Sequence, residues 1–440
     1  MSSATFDKTS IVPGAKFSYE ELEQILAEST GNSTAEIVNG SAKFIGVMQG
    51  MLSKIVRVQL EWSEPNDALP SSVVLKIPSM DTMNSFVDDA AKEDASEEMK
   101  EAMAAYDPEM MKKIMEKMKG KLSRAHNTEC EFYRVVRGLE KEFRAAKCYH
   151  VKEVDFDKGV DGLLVFEDLT SNGGHVKWMH DTIDFELLKQ VAEAIAGLHT
   201  FCLTEEGHKS LWLNNPKLQF RLTDFMDVDQ PQDELMQMME ASTTLWKKMW
   251  PEIFDPLADR MRDIYPMDLK DPSYDTDKIQ KELGLPTVLV QGDLHIQNIA
   301  FTKGESGQEK LLGIFDWQIC HTGCLAEDLA RILVTSVSGP LRRDSTRPLL
   351  QYYYDTLEEK LSSKGVKEVP FTFEALQKAF RRVFKLSAFG IVNAFPMIAM
   401  NDKFLGEDPR KEEKKVELLQ RAQMLLEDLA AIHDGKEDPW

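Results

Sequence analysis

Between Thr287 and Asp328 the chain carries two carboxylates and an amide at a spacing that could handle a phosphate. The first segment, Val288-Leu289-Val290-Gln291-Gly292-Asp293, is an apolar run of strand character that breaks at a glycine into an acid, and Asn298 follows five residues later. The second, Leu311-Leu312-Gly313-Ile314-Phe315-Asp316, is another apolar run ending on an acid. Two such strands, joined through the turn-like Thr302-Lys303-Gly304-Glu305-Ser306-Gly307, read as a hairpin that places Asp293, Asn298 and Asp316 together. Oxygen donors of this kind suit Mg²⁺, which is usually held by one or two carboxylates plus substrate phosphates.

The pattern D-x-x-x-x-N followed by a strand-borne Asp is also that of a kinase catalytic loop and its metal-binding acid. On these residues the chain resembles the CHK kinase-like (ecdysteroid kinase-like) family, nematode members above all, within the aminoglycoside phosphotransferase and choline kinase group. The resemblance runs over residues 15–430 and rests on the order Gly50, Lys76, Glu129, a hinge strand, Asp293, Asn298, Asp316, Asp328. It implies a protein-kinase-like α+β fold, with an antiparallel N-terminal sheet and a mainly helical C-terminal lobe. It implies ATP and Mg²⁺ as cofactors and a small-molecule hydroxyl, sterol-like or choline-like, as acceptor. Asp293 would be the catalytic base, and Asn298 and Asp316 would hold the metal. Gly50, Ser53, Lys76 and Glu129 would meet the nucleotide phosphates, and the hinge residues Glu167, Asp168 and Leu169 its base. One departure stands out: Gln291 occupies the place of the family's usual His. That substitution keeps open a pseudokinase that binds nucleotide without transferring phosphate.

The elements that must position these residues can be read from pattern. Ser18-Tyr19-Glu20-Glu21 is a capping box that opens a helix, with Phe17 and Leu22 placed as a staple. Residues 42–47, 54–62 and 72–78 are rich in β-branched side chains and separated by turn chemistry, so three antiparallel strands are expected. Gly50 lies in the first connection, where glycine lets backbone approach a phosphate, and Lys76 lies on the third strand. Residues 80–123 interrupt the lobe with an acidic, then Lys- and Met-rich stretch. Asp94 and Asp107 mark helix starts there, and the stretch is either an amphipathic packing insertion or a mobile lid. His126 to Val136 returns to helix, and Glu129, or Glu131 as the alternative, would pair with Lys76. Leu163 to Thr170 is a strand closing on acids; the lobes are expected as 1–170 and 171–440. Beyond it helix predominates, with breaks expected at Pro396 and Pro409, and His199 reads as a packed helical residue.

Across 440 residues the formal charge is −21, which speaks against a nucleic-acid partner, since phosphates require a basic face. Apolar residues make up 42%, enough for a large core. No apolar run approaches the length needed to span a membrane and no leader is evident, so a cytoplasmic protein is expected. Cys130, Cys148, Cys202, Cys320 and Cys324 are few and scattered, as suits reduced thiols. Cys320 and Cys324 have no second pair to complete a zinc site. Nothing marks the acceptor's identity or any protein partner.

Overall fold

The computed structural model describes residues 6–11, 17–32, 34–45, 53–64, 67–80, 108–171, 173–204, 206–225, 232–260, 264, 275–388, 390–400, 402–405, 408–436 and 438–440. Two compact units emerge, one of residues 1–141 and 146–172, the other of residues 142–145 and 173–440.

The first unit is built on a five-stranded antiparallel sheet. Its strands β1 (Ile37–Ile45), β2 (Ser53–Trp62), β3 (Ser72–Pro78), β4 (Cys148–Lys152) and β5 (Leu163–Glu167) lie in the order β1-β2-β3-β5-β4. The expected three strands are present, and β5 joins the sheet by pairing with β3. Alternation along β2 and β3 turns Val56, Val58, Val73 and Leu75 into a core, and helix α1 (Tyr19–Thr30) covers it with Leu22 and Leu26. Ser18 caps α1 by accepting the Glu21 N–H, as its capping box requires. Helix α2 (Pro108–Val135) is continuous through Glu129, so residues 108–123 extend that helix instead of forming an insertion of their own. Gly50, Asp94 and Asp107 lie outside the described residues.

The second unit is mainly helical. Its main helices are α3 (Phe185–Thr204), α4 (Gln232–Met249), α5 (Glu327–Thr335), α6 (Gly339–Ser363), α7 (Phe373–Ala388), α8 (Ile391–Met400) and α9 (Lys411–His433). Gly197 on α3 admits the Glu142 carbonyl so closely that a Cβ would sit 2.4 Å from it. His199 is packed in the interior and bonds the Tyr353 hydroxyl at 2.6 Å, a structural role. The expected break at Pro396 falls elsewhere: Pro396 lies inside α8, and the chain turns at Gly390 with φ +78°. Gly390 adopts that left-handed backbone without a Cβ penalty, so the break needs no proline. Residues Phe373–Met400 are together long and apolar enough to cross a membrane by length and composition, which corrects the expectation that no such run exists. Gly390 interrupts the stretch, and Leu376, Phe380, Val383, Val392 and Phe395 are buried in this unit. All five cysteines are free thiols.

Strands β7 (Thr287–Val290) and β10 (His321–Cys324) pair with each other, while β8 (Ile299–Lys303) and β9 (Glu309–Ile314) form a hairpin that β6 (His175–Val176) extends. The hairpin expected between the two acid-bearing runs is thus corrected. The run ending at Val290 pairs with β10, and Leu311–Ile314 pairs with the strand that starts after Asn298. A short 3₁₀ turn, Ile296–Asn298, separates the loop after β7 from β8.

Helices α6 and α9 are pinned by a buried ion pair. Arg342 donates to Asp428 Oδ2 through Nε (3.1 Å) and Nη2 (2.6 Å), and Arg343 Nε donates to Oδ1 (2.7 Å). Arg342 and Asp428 are fully buried, so removing one partner leaves an uncompensated charge. Asp428→Ala is expected to destabilise this unit by about 3–5 kcal/mol. Calorimetric melting of the variant checks this, and an unchanged transition would contradict it.

Candidate functional site

Strand β7 delivers the chain into Gln291-Gly292-Asp293, and helix α5 holds that loop at three points. Asp328, in the first turn of α5, accepts the N–H groups of Gln291 (2.8 Å) and Gly292 (3.0 Å). Burial pushes the Asp328 carboxyl up to about 6, and those two N–H bonds oppose the rise. Midway along α5, Arg331 donates to Asp293. Just past its C-terminal end, the Ser336 hydroxyl accepts the Ile296 N–H at 3.0 Å. Arg421 of α9 in turn caps α5 by donating to the Thr335 carbonyl. Gly292 has φ +87°, and a Cβ there would lie 2.6 Å from the Ile319 carbonyl oxygen, so the turn admits glycine alone.

Gln291, buried, ties this loop to the one that bears Asp316. Its Nε2 donates to the Asp316 carbonyl at 2.7 Å and to that of Phe315 at 3.3 Å, while its Oε1 accepts the Asp293 N–H at 2.8 Å. The amide therefore makes the scaffold bonds that a neutral imidazole would otherwise share between one donor and one acceptor. Asp316 has φ +63°, a left-handed conformation uncommon for a side-chain-bearing residue and frequent at functional positions. Asn298 sits at the mouth of the β8–β9 hairpin. Its Nδ2 donates to the Asp293 carbonyl (3.0 Å) and its own carbonyl accepts the Phe315 N–H (3.0 Å).

The Asp293 carboxylate has two unlike oxygens. Oδ1 receives Arg331 Nε (3.2 Å) and Nη2 (2.7 Å), and Oδ2 faces His295 Nε2 at 3.4 Å. Burial works to raise its proton affinity, but His295 and Arg331 outweigh it and hold the carboxyl well below the usual range. Asp293 is therefore ionised at neutral pH.

The first unit carries the remaining residues. Lys76, paired across β3 with Ile55 and Leu164, reaches Glu129 Oε2 of α2 at 2.5 Å, both buried. Glu131, the alternative partner, instead pairs with Arg134 at 3.1 Å on the same helix. Ser53 is buried at the start of β2. At the end of β5, Glu167 accepts the Lys147 N–H through Oε1. The Asp168 side chain is occupied by Ser72 (2.7 Å), Arg57 (2.9 Å) and Thr170 (2.7 Å), so its carboxylate fastens the strand end. Leu169 is half-buried beside it.

Asn298 Oδ1 and the Asp316 carboxylate are hard oxygen donors of the sort Mg²⁺ takes. Among the described residues no cluster of three or more His, Cys, Asp or Glu could hold a metal by itself. A metal here would complete its shell with phosphate oxygens and water, which is how Mg²⁺ is commonly bound.

The family model DUF1679, described as "Uncharacterized oxidoreductase dhs-27", matches residues 14–437. The chain belongs to this family. It is 24% identical over 341 residues to the uncharacterized oxidoreductase dhs-27 of Caenorhabditis elegans, covering 76% of this chain but only 37% of that protein. It is 23% identical over 375 residues to the uncharacterized kinase-like protein D1044.1 of the same nematode, covering 82% of this chain and 85% of the relative. The expected likeness to nematode kinase-like proteins is met by that second relative. Among solved structures, an ethanolamine kinase of Plasmodium vivax aligns over 94% of this chain and 92% of its own, at 13% identity and a TM-score of 0.37.

Sequence reasoning missed His295 and Arg331, the two groups that flank Asp293. A signal for the second was present: Asp328, Arg331, Thr335 and Ser336 recur at helical spacing in an otherwise apolar segment, marking one polar face.

Gly292→Ala is expected to displace the loop, because the Cβ meets the backbone carbonyl of Ile319 and the φ is unfavourable for alanine. The expected cost is about 1–3 kcal/mol. A melting curve of the variant tests this; a native transition would show that the turn tolerates a side chain.

Proposed function

We propose that this chain is a phosphotransferase that moves the γ-phosphate of ATP, with Mg²⁺, to the hydroxyl of a small molecule. The observation that carries the reading is the single hydrogen-bonded assembly in which the Gln291 amide and the Asn298 amide join Asp293 to the Asp316 loop.

Phosphoryl transfer asks a protein for positioning and charge neutralisation more than for covalent chemistry. Asp293, ionised, orients the acceptor hydroxyl and takes its proton as the new O–P bond forms and the bond to ADP breaks. Because the transition state is loose, a carboxylate of low proton affinity suffices for that late transfer. Asn298 and Asp316 hold Mg²⁺, which when bound neutralises charge on the phosphates. Lys76, paired with Glu129, adds a positive charge to the phosphates, and Ser53 and Gly50 would meet them as well. The backbone at Glu167 to Leu169 receives the nucleotide base, while Asp168 keeps that backbone in place. The acceptor is a sterol-like or a choline-like alcohol.

The scaffold bonds of Gln291 support an active enzyme over a pseudokinase, since the amide supplies both the donor and the acceptor that the loop uses. The oxidoreductase description belongs to a relative of which this chain spans 37%. Among the described residues, strand pairing within the sheets is antiparallel throughout. A dinucleotide-binding fold needs a mostly parallel sheet.

Asp293→Asn is expected to keep the melting shift produced by ATP and Mg²⁺ yet lose about 10² to 10⁴ in transfer rate. Near-native turnover would remove Asp293 as the base. Asp316→Ala is expected to abolish the part of that melting shift which a chelator removes from the native protein; an unaltered metal-dependent shift would exclude Asp316 as a ligand. Gln291→His is expected to change turnover by no more than about one net hydrogen bond, roughly tenfold. An inactive native protein made active by this change would establish the pseudokinase instead.

A further inference from the structure

Both bonds from the Arg331 guanidinium fall on one oxygen of Asp293, which is unusual for an Arg–carboxylate pair, where the two parallel bonds ordinarily reach both oxygens. The other oxygen, Oδ2, takes one longer contact, from His295 Nε2 at 3.4 Å, and the Asp293 side chain is 20% exposed. Arg331 itself is anchored. It lies one turn along α5 from Asp328, and its Nη1 reaches the Ser387 carbonyl in the last turn of α7 at 3.4 Å. Helix α5 therefore grips the main chain of the loop through Asp328 and the side chain of the loop through Arg331.

We propose that Arg331 is a positioning residue that fixes the rotation of the Asp293 carboxylate and presents Oδ2 to the acceptor hydroxyl. This rests on the phosphotransferase reading above and assigns the residue that orients its base. The terminal torsion of an aspartate is broad, so the two oxygens would exchange places without a partner that distinguishes them. Arg331 supplies the firmer distinction by placing two bonds on Oδ1, against the single longer His295 contact on Oδ2. The proton of the hydroxyl then passes to Oδ2, while Arg331 keeps its own protons and offsets the aspartate charge before the hydroxyl arrives. The arrangement predicts an effect on turnover, with the nucleotide's affinity left to Lys76, Asn298 and Asp316.

The test uses the full chain with Mg²⁺ and ATP, and water as the phosphate acceptor, so that it needs no knowledge of the natural alcohol. Phosphate release is followed for the native protein, Arg331→Met, Arg331→Lys and Asp293→Asn, each with its melting temperature. Arg331→Met is expected to lose about ten- to a hundredfold in kcat with KM for ATP unchanged, as a displaced reacting group does. Arg331→Lys, which restores a charged donor to Oδ1, is expected to recover part of that loss. An unchanged kcat in Arg331→Met, while Asp293→Asn abolishes release, overturns the inference and leaves the phosphotransferase reading standing. A loss that appears in KM for ATP, or a fall in kcat matched by a collapsed melting transition in both Arg331 variants, also overturns it. Absence of Mg²⁺-dependent phosphate release from the native protein overturns the phosphotransferase reading itself, and this inference with it.

Discussion

The loop that carries Asp293 depends on helix α5 more than on its own conformation. A turn with a left-handed glycine at Gly292, an adjoining 3₁₀ segment and few ladder bonds has little intrinsic order. Asp328 satisfies two of its N–H groups at once, and a buried carboxylate that accepts backbone N–H bonds is a stiff attachment. Ser336 and Arg331 add further attachments from the same helix. The helix is held in turn by Arg421, whose guanidinium also lies 4.2 Å from the Phe395 ring centroid. The order of the Asp293 loop is thus borrowed from the core of the second unit.

Each unit carries charge inside an apolar setting, and each does so with a committed partner. Lys76 and Glu129 are buried together, as are Arg342 and Asp428. Such pairs contribute little net stability because desolvation offsets their attraction, but they are costly to split. For Lys76 this means an ammonium held beside Glu129, which suits the phosphate contact proposed for it. For Asp293 the Arg331 bonds fall on one oxygen and leave the other to the longer His295 contact, which suits the base role proposed for it.

Much of this was legible in the sequence, and the gaps have physical causes. The three N-terminal strands declared themselves through β-branched residues, and Ser18 through its capping box, because both signals are local. The scaffold role of Gln291 was readable from the functional groups of an amide. Strand pairing in the second unit was not: which partner β7 takes is decided by packing with β10, more than thirty residues away in the chain. The break in the apolar stretch was assigned to Pro396, although a glycine at 390 does the work through its backbone freedom. That the Asp168 carboxylate fastens the strand end to Ser72 and Arg57 was not legible, because only the folded sheet brings those side chains to it. Arg331 went unassigned because its partner lies 38 positions earlier, although its spacing from Asp328 was in view.

The central claim is that the Asp293, Asn298 and Asp316 assembly transfers phosphate from ATP to an alcohol. Incubating the purified chain with ATP labelled on its γ-phosphate, Mg²⁺ and a metabolite extract tests it most directly, with product mass as the readout. The account predicts a labelled phosphate monoester of a small alcohol, formed together with ADP and suppressed by a chelator. Label that remains in ATP and inorganic phosphate, in the presence of an intact melting shift with ATP and Mg²⁺, would contradict it.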